Sequence, residues 1–358
     1  MTEGLASGRN AQLREDVAAP LAAAAALWDQ RGKLRLIGEV APMFPRVVAT
    51  GAGASFAVAR SLAVALRGAG VESVSLPVDA LAREMNAFLD GRSLLVCVGR
   101  SGDATQLVSL LSSLSVLPAM PFTVAVTAIG GSGVAELADV TITADVPPDA
   151  GPPLRVPLVT AVMLSAVAEL LLMGAHAHID AILSATDDVA ARAVDVATKL
   201  VVMPHERETS LAAQLAGRSS LLVLGRGAGR AAAELAGLAW LTNAGRAVHV
   251  ADAGEMGLGA IEAAGPDLAA LVLSPGHATS DADRRVATDL AAAGTAVVFV
   301  APAREAPQGI EHVVVDEVHP VVDPVLSALV ATVVGRRVAA DRGRTVGRLV
   351  RADPAALA

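Results

Sequence analysis

Strand patterns alternate with helix patterns along the whole chain, and the same series of patterns occurs twice. The first half contains the apolar runs RVVATG, SVSLPV, SLLVCVG, FTVAVTA and VTITAD. The second half contains SLLVLG, AVHVAD, LAALVLS, AVVFVAP and HVVVDE. Because a helical segment usually separates one run from the next, the strands are expected to be parallel and covered by helices on both faces. The sequence therefore predicts an α/β fold with two parallel sheets.

Two glycine-containing loops recur at the same spacing and indicate a duplicated domain. The turn GAGASFAVA corresponds to GRGAGRAAA, with Gly53 opposite Gly227, an offset of 227 − 53 = 174. The later loop SGDATQL corresponds to PGHATSD, with Asp103 opposite His277, and 277 − 103 is again 174. A chain of 358 residues also suits two domains of ordinary size. We predict a first domain at residues 1–185 and a second at 186–358, joined within the helical region 157–214.

Composition excludes several classes of function. The net charge is −8 and the chain has no Tyr, 5 Phe and 2 Trp, so it lacks the basic and aromatic surface typical of nucleic-acid binding. Cys97 is the one cysteine, which rules out an intrachain disulfide and a cysteine-rich metal site. It lies in an apolar run, where we expect a buried thiol. His176 and His178 would point to different faces of a helix, so they are not expected to form a metal pair. We predict no metal and no cofactor.

The distribution of apolar residues does not indicate a membrane protein. The first residues, MTEGLASGRNAQLRED, lack the apolar core of a secretion signal. The most apolar stretch is VPLVTAVMLSAVAELLLMGAHAH, which contains Glu169. Such helices are normal when they are buried between the layers of an α/β protein. We therefore expect a cytoplasmic protein with no membrane partner.

The loop GAGASF, residues 51–56, has the features of an anion-binding turn. Glycines let a backbone approach a ligand, and the helix that follows presents free N–H groups and the positive end of its dipole. Ser55 adds a hydroxyl group at the helix start. Phe56 stands where a dinucleotide fingerprint requires its third glycine, which argues against a nucleotide cofactor. The other interpretation is a purely structural turn with Ser55 as the helix N-cap.

The loop GRSGDATQL, residues 99–107, repeats this arrangement after the next buried strand. Its Ser101-Gly102 turn leads into a helix, and Asp103 favours the N-terminus of that helix. Two such loops converge at the carboxyl edge of one parallel sheet. A compact phosphate monoester suits this arrangement better than an extended dinucleotide.

The two loops, the duplication and the segment GRGAGRAAAEL…DAGEMGLG resemble the sugar isomerase (SIS) domain family. The closest resemblance is to its tandem-domain branch, which includes the isomerase half of glucosamine-6-phosphate synthase and related phosphosugar isomerases and deglycases. The most specific segment is SGD, where the family has Ser-x-Ser-Gly-Glu-Thr. The resemblance implies two flavodoxin-like, three-layer domains, each with a five-stranded parallel sheet between helices. It also implies a homodimer and a sugar phosphate held by the loops of the first domain.

When the family's phosphate site is transferred position by position, fewer hydroxyl groups remain in this chain. Ser55 and Ser101 keep their hydroxyl groups. Ala54, Gly99 and Ala104 replace residues that carry a hydroxyl group in the family. Each lost hydrogen bond to a phosphate would weaken binding by roughly 1.5–3 kcal/mol. Arg100 and Thr105 could compensate, although a solvated surface arginine is an equally good interpretation of Arg100. The predicted substrate-binding residues are Gly53, Ser55, Arg100, Ser101, Gly102, Asp103 and Thr105.

The family's catalytic residues transfer poorly. The catalytic acid of the isomerases would fall near Thr242 and Asn243, where there is no carboxylate. In the family's Gly-Glu-x-x-His-Gly loop, Glu255 is kept but Leu258 replaces the histidine, and leucine cannot exchange a proton. Arg348 replaces the C-terminal lysine and can hold an anion but cannot form a Schiff base. The resemblance implies that this chain lacks the residues needed for the usual isomerase mechanism.

Glu255 is the best remaining acid or base, with Arg348 as its catalytic partner and Glu234 as a second carboxylate. The competing interpretation is that Glu255 holds the amides of its own loop. In the second domain's phosphate loop Pro275 replaces the serine, and we interpret that loop as structural.

Three functions are consistent with these residues. The first is a phosphosugar-binding sensor or regulator without catalysis. The second is an isomerase, deaminase or deglycase of an amino-sugar or glycated-amine phosphate, with a rearranged site around Glu255. The third is an interaction module whose pocket is vestigial.

Overall fold

The structure is a computed structural model that describes residues 2–100, 104–130, 133–146, 155–276, 280–303 and 307–344. The chain divides into two compact units, which meet in sequence at Val194 and Asp195. Ser101, Gly102, Asp103, His277 and Arg348, which the sequence singled out, lie outside the described residues.

The first unit contains a five-stranded parallel sheet within the described ranges. Its strands are β1 (Arg46–Gly51), β2 (Glu72–Pro77), β3 (Ser93–Gly99), β4 (Phe122–Thr127) and β5 (Val140–Thr143), in the order β2-β1-β3-β4-β5. The helices are α1 (Thr2–Trp28), α2 (Arg31–Val40), α3 (Ala54–Gly68), α4 (Val78–Arg83), α5 (Met85–Phe88), α6 (Thr105–Ser113), α7 (Gly133–Leu137) and α8 (Arg155–Met173). The helix α9 (Ile179–Val201) runs from this unit into the second.

The second unit repeats this topology. Its strands are β6 (Ser220–Gly225), β7 (His249–Asp252), β8 (Leu268–Leu273), β9 (Ala296–Ala301) and β10 (Glu311–Val314). They pair in parallel in the order β10-β9-β8-β6-β7, which is the order of the first sheet with each strand replaced by its counterpart. The helices are α10 (His205–Ala216), α11 (Ala228–Ala244), α12 (Ser280–Ala292) and α13 (Asp323–Asp341). The predicted α/β fold with two tandem domains is confirmed.

Strand register differs by one residue between the two sheets. Gly51 of β1 pairs with Val98 of β3, a separation of 98 − 51 = 47. Gly225 of β6 pairs with Leu273 of β8, a separation of 273 − 225 = 48. The offset between corresponding residues is therefore 174 at the ends of β1 and β6, but 273 − 98 = 175 at the paired residues of β3 and β8.

The central strands carry the apolar core. Every residue of β3 is buried, including Cys97, which is 1 % exposed. Burial raises the pKa of the Cys97 thiol to about 12. The prediction of a buried cysteine is confirmed.

The helix α8 belongs to this core despite its membrane-like composition. The segment Arg155–His176 is long and apolar enough to cross a membrane, with a mean hydropathy of 2.1, but 78 % of its most apolar window is buried inside the protein. It packs against α1 and α3. At its first residue Arg155 forms an ion pair of 2.8 Å with the buried Asp16 of α1. The apolar stretch is thus a core helix, as its sequence predicted.

The edge strand β5 is covered by the helical N-terminal region. The Gln30 side chain donates from Nε2 to the Thr143 carbonyl (2.6 Å) and accepts from the Thr143 N–H at Oε1 (3.0 Å). Lys33 Nζ donates to the Thr141 carbonyl (2.8 Å). These bonds satisfy backbone groups that an open sheet edge would leave available for pairing with another chain.

Candidate functional site

The chain leaves β1 and β3 in opposite directions, which opens a crevice at the carboxyl edge of the first sheet. The helix α3 after β1 leads to β2 on one side, and α6 after β3 leads to β4 on the other. Ligands of open parallel sheets bind at such switch points. Both loops predicted from sequence begin here, because the last residue of β1, Gly51, pairs with Val98 near the end of β3.

The first loop presents a hydroxyl group and backbone amides at the start of α3. Gly53 is the N-cap, with φ 54° and ψ −123°, and its carbonyl accepts from the N–H groups of Phe56 (3.1 Å) and Ala57 (3.3 Å). Ser55 is the second helical residue, so the interpretation of Ser55 as N-cap is wrong. Its side chain is half-buried, and its hydroxyl has no partner among the described residues. The N–H groups of Gly53 and Ala54 likewise donate to none of the described residues.

The second loop starts at Arg100, on the other side of the crevice. Arg100 is half-buried and its carbonyl accepts from the Ala128 N–H (3.2 Å). Thr105 is exposed and is the first residue of α6, after the N-cap Ala104. The structure therefore brings Gly53, Ser55 and Arg100 to one sheet edge and places Thr105 at the helix that leads away from it.

A third loop, after β4, also lies at this edge and was missed by the sequence analysis. Thr127 ends β4 and donates from Oγ1 to the Ile129 carbonyl (2.7 Å), and Gly130 donates from its N–H to Asp145 (2.7 Å). The signal was present in the run AIGGSG, a third strand followed by small residues and a helix.

The described catalytic candidates lie in the second unit, with Glu234 on α11 and Glu255 after β7. Glu255 is exposed in the 3₁₀ turn Ala253–Leu258, and no described amide donates to it. Asp252 caps this turn instead, accepting from the Gly254 N–H (2.7 Å), so the interpretation that Glu255 holds the loop amides is wrong. Leu258 is 87 % exposed and Asn243 is buried in α11. Glu234 forms an ion pair of 3.3 Å with Arg230 on the same helix.

Among the described residues, the protein's own backbone and side chains occupy the corresponding crevice of the second unit. Gly229 occupies the position of Ser55, and a Cβ there would lie 2.4 Å from the Leu273 carbonyl oxygen. Arg226 occupies the position of Ala52, and its Nε lies 3.5 Å from Oδ1 of the fully buried Asp283. Ser274 donates from Oγ to the other oxygen of that carboxylate (3.0 Å). A buried carboxylate opposes an incoming phosphate, which supports a structural role for this loop.

The described residues contain no group of three or more His, Cys, Asp or Glu side chains arranged as metal ligands.

Comparisons with known proteins agree with this architecture. Residues 45–179 match the family model of the SIS domain. The C-terminal domain of glucosamine-fructose-6-phosphate aminotransferase from Francisella tularensis is 13% identical, with a TM-score of 0.76 over 95% of this chain and 96% of that one. Tagatose-6-phosphate ketose/aldose isomerase from Escherichia coli is 17% identical, with a TM-score of 0.71 over 96% of each chain. Glucosamine-6-phosphate deaminase from Thermotoga maritima is 15% identical, with a TM-score of 0.63 over 93% of this chain and 98% of that one.

No curated protein sequence is a significant match to the chain. At these identities the solved structures establish the fold over nearly the full length, and the family model covers the first sheet and the helices α3 to α8. Residues 45–179 therefore match the SIS domain, in a chain that has the same tandem fold as these solved structures.

Proposed function

We propose that the crevice between β1 and β3 of the first domain binds the phosphate of a phosphorylated sugar. The observation that carries this proposal is the open first turn of α3. The Ser55 hydroxyl and the N–H groups of Gly53 and Ala54 have no partner among the described residues, at the N-terminus of a 15-residue helix. Free amides and a helix dipole favour a dianionic group at this point.

The nature of the ligand is inferred from three further observations. The SIS family match covers this domain, and the similar structures include proteins named for 6-phosphosugar substrates. Phe56 is buried in α3, so the turn lacks the third glycine that dinucleotide-binding helices need for close packing. The net charge of −8 does not favour a polyanionic partner such as nucleic acid.

Binding in this account occurs without the usual isomerase chemistry, as in a sensor or regulator. Leu258 and Asn243 cannot serve as acid or base at the positions where the resemblance expects them. We further propose a cytoplasmic homodimer, as the resemblance to tandem SIS proteins implies. Sedimentation velocity at micromolar concentration tests the homodimer, because a species with the mass of one chain would contradict it.

The experiment compares Ser55→Ala with the wild type in calorimetric titrations against hexose, pentose and amino-sugar phosphates. Loss of one hydrogen bond to a charged group is expected to weaken binding by about 10- to 100-fold. Ser113→Ala is the matched control, because Ser113 is, like Ser55, a half-buried helical serine, and its hydroxyl donates only to the Ser109 carbonyl (2.7 Å) among the described residues. Equal affinities of Ser55→Ala and wild type would place the phosphate elsewhere.

A second candidate is an isomerase, deaminase or deglycase that uses Glu255. It is favoured by the finding that Asp252, not Glu255, holds the loop amides, which leaves the Glu255 carboxylate exposed. Glu255→Gln should then abolish turnover of a bound phosphosugar while its dissociation constant stays unchanged. The control is Glu262→Gln, an exposed carboxylate in the next turn of the chain. Turnover that survives Glu255→Gln removes this residue from any mechanism.

A further inference from the structure

The segment after β5 contains a residue with an unusual backbone. Asp145 has φ 51°, the one non-glycine residue with positive φ in the described part of the chain. Aspartate tolerates this left-handed conformation better than most residues, but it is still rarely populated. A residue keeps such a conformation where its surroundings fix it, which directs attention to its contacts.

Asp145 and its neighbour hold the loop after β4 at two points. Oδ1 of Asp145 accepts from the Gly130 N–H at 2.7 Å. The Val146 N–H donates to the Ala128 carbonyl at 2.8 Å. A Cβ at Gly130 would lie 2.9 Å from the same Asp145 oxygen, so the glycine allows the close approach of the carboxylate. The left-handed turn at Asp145 thus accompanies a two-point clamp on residues 128–130.

A further hydrogen bond connects the clamped residues 128–130 to the proposed phosphate crevice. The Ala128 N–H donates to the Arg100 carbonyl at 3.2 Å, and Arg100 is the first residue after β3. The strand ends are in line, because Gly99 pairs with Thr127 and Thr127 pairs with Thr143. Hydrogen bonds therefore join the segments after β5, β4 and β3 in sequence, and the last of these forms one side of the crevice.

We propose that Asp145 is a positioning residue for the phosphosugar site, acting through Gly130 and Ala128 on Arg100, the first residue after β3. This inference rests on the proposed function. A binding residue that is held in place before the ligand arrives binds more tightly, since binding does not then have to order it. Asp145 itself is exposed and need not touch the ligand.

The competing explanation is that Asp145 only ends β5 and contributes to stability. Asp90 offers a matched control at the opposite edge of the same sheet. It is also exposed, and its Oδ1 accepts from the Arg92 N–H (2.9 Å) and the Ser93 hydroxyl (2.8 Å) at the start of β3. Its contacts lie at the amino end of the strand, away from the crevice.

The experiment uses Asp145→Gly, Asp145→Asn and Asp90→Gly in the full chain. Glycine suits the left-handed backbone but removes the acceptor, whereas asparagine tolerates the backbone and keeps a side-chain oxygen. Calorimetry measures the dissociation constant of the phosphosugar that the wild type binds. Hydrogen–deuterium exchange of the ligand-free proteins measures amide protection in the segment 98–107 and at Ala128.

Asp145→Gly is expected to weaken binding by about tenfold, the effect of losing one hydrogen bond to a charged group. It should also speed exchange in the segment 98–107, well beyond its own contacts. Asp145→Asn should restore both properties to near wild type, and Asp90→Gly should leave both unchanged even if it lowers the melting temperature.

Unchanged affinity of Asp145→Gly, or faster exchange confined to residues 128–130 and 144–146, would overturn the proposal. A wild type that binds no phosphosugar would refute the proposed function alone. The exchange pattern of the ligand-free variants would then still decide whether Asp145 controls the loop after β3.

Discussion

At the scale of single residues, Glu208 is a carboxylate whose pKa departs from its ordinary value. Partial burial in the first turn of α10 raises its pKa, and the negative charge of Asp341 acts in the same direction. Arg337 and His205 oppose the shift. Ionised Glu208 is therefore less favourable in the folded protein than in the unfolded chain, so its ionisation lowers stability at neutral pH.

Glu208→Gln is expected to raise the melting temperature at pH 7. The gain should shrink as the pH falls through the raised pKa and should vanish below the ordinary value of 4.5, where Glu208 is protonated in both the folded and the unfolded wild type. Glu206→Gln, an exposed change in the same turn, controls for the loss of a negative charge at the helix N-terminus. A lower melting temperature of Glu208→Gln than of Glu206→Gln at pH 7 would show that the attraction of Arg337 and His205 dominates.

Residue roles were predictable where they depend on local sequence. Ser55 was found because a hydroxyl follows a glycine turn, and Cys97 because it lies in an apolar run. The N-cap role of Gly53 was missed, since only the structure shows that the helix begins one residue before the serine. Asp145 could not have been found, because its partner Gly130 is 15 residues away and nothing in the sequence marks the contact.

At the scale of elements, the strand–helix turns of the two domains differ in one decisive contact. In the first domain the first turn of α3 carries Ser55 with a half-buried side chain. In the second domain α11 approaches the end of β8 so closely that Gly229 has no space for a Cβ beside the Leu273 carbonyl. The obstacle is backbone, so a small side-chain adjustment cannot relieve it.

Gly229→Ser, which copies the first domain, should therefore destabilise the protein. We expect a loss of about 1–3 kcal/mol in the free energy of unfolding, the usual cost of overpacking, measured by urea denaturation. Gly257→Ser is the control, because a Cβ there would meet no atom within 4 Å. Equal stability of Gly229→Ser and wild type would mean that α11 can withdraw from β8.

At the scale of the whole molecule, the order of strands and helices was readable from the sequence because each element carries its own apolar pattern. The identical strand order of the two sheets follows from that repetition. Strand register could not be predicted from the sequence. The one-residue difference in register between β1–β3 and β6–β8 leaves the apolar pattern of each strand unchanged. Nor was the filling of the second crevice, which depends on Asp283 reaching Arg226 and Ser274.

These differences between the domains predict the stoichiometry of the whole chain. The first crevice presents unpaired donors among its described residues, and the second contains a buried carboxylate and a closed turn. One sugar phosphate per chain is therefore expected, although the fold is repeated.

The most direct test is calorimetric titration of the wild-type protein with the sugar phosphate that most raises its melting temperature. Ligand at about 100 times its dissociation constant adds roughly 2.7 kcal/mol to stability, enough to select that compound from a panel. The account predicts one site per chain, no binding of the unphosphorylated sugar, and an affinity reduced by Ser55→Ala. Absence of binding by every sugar phosphate, or two equivalent sites per chain, would contradict it.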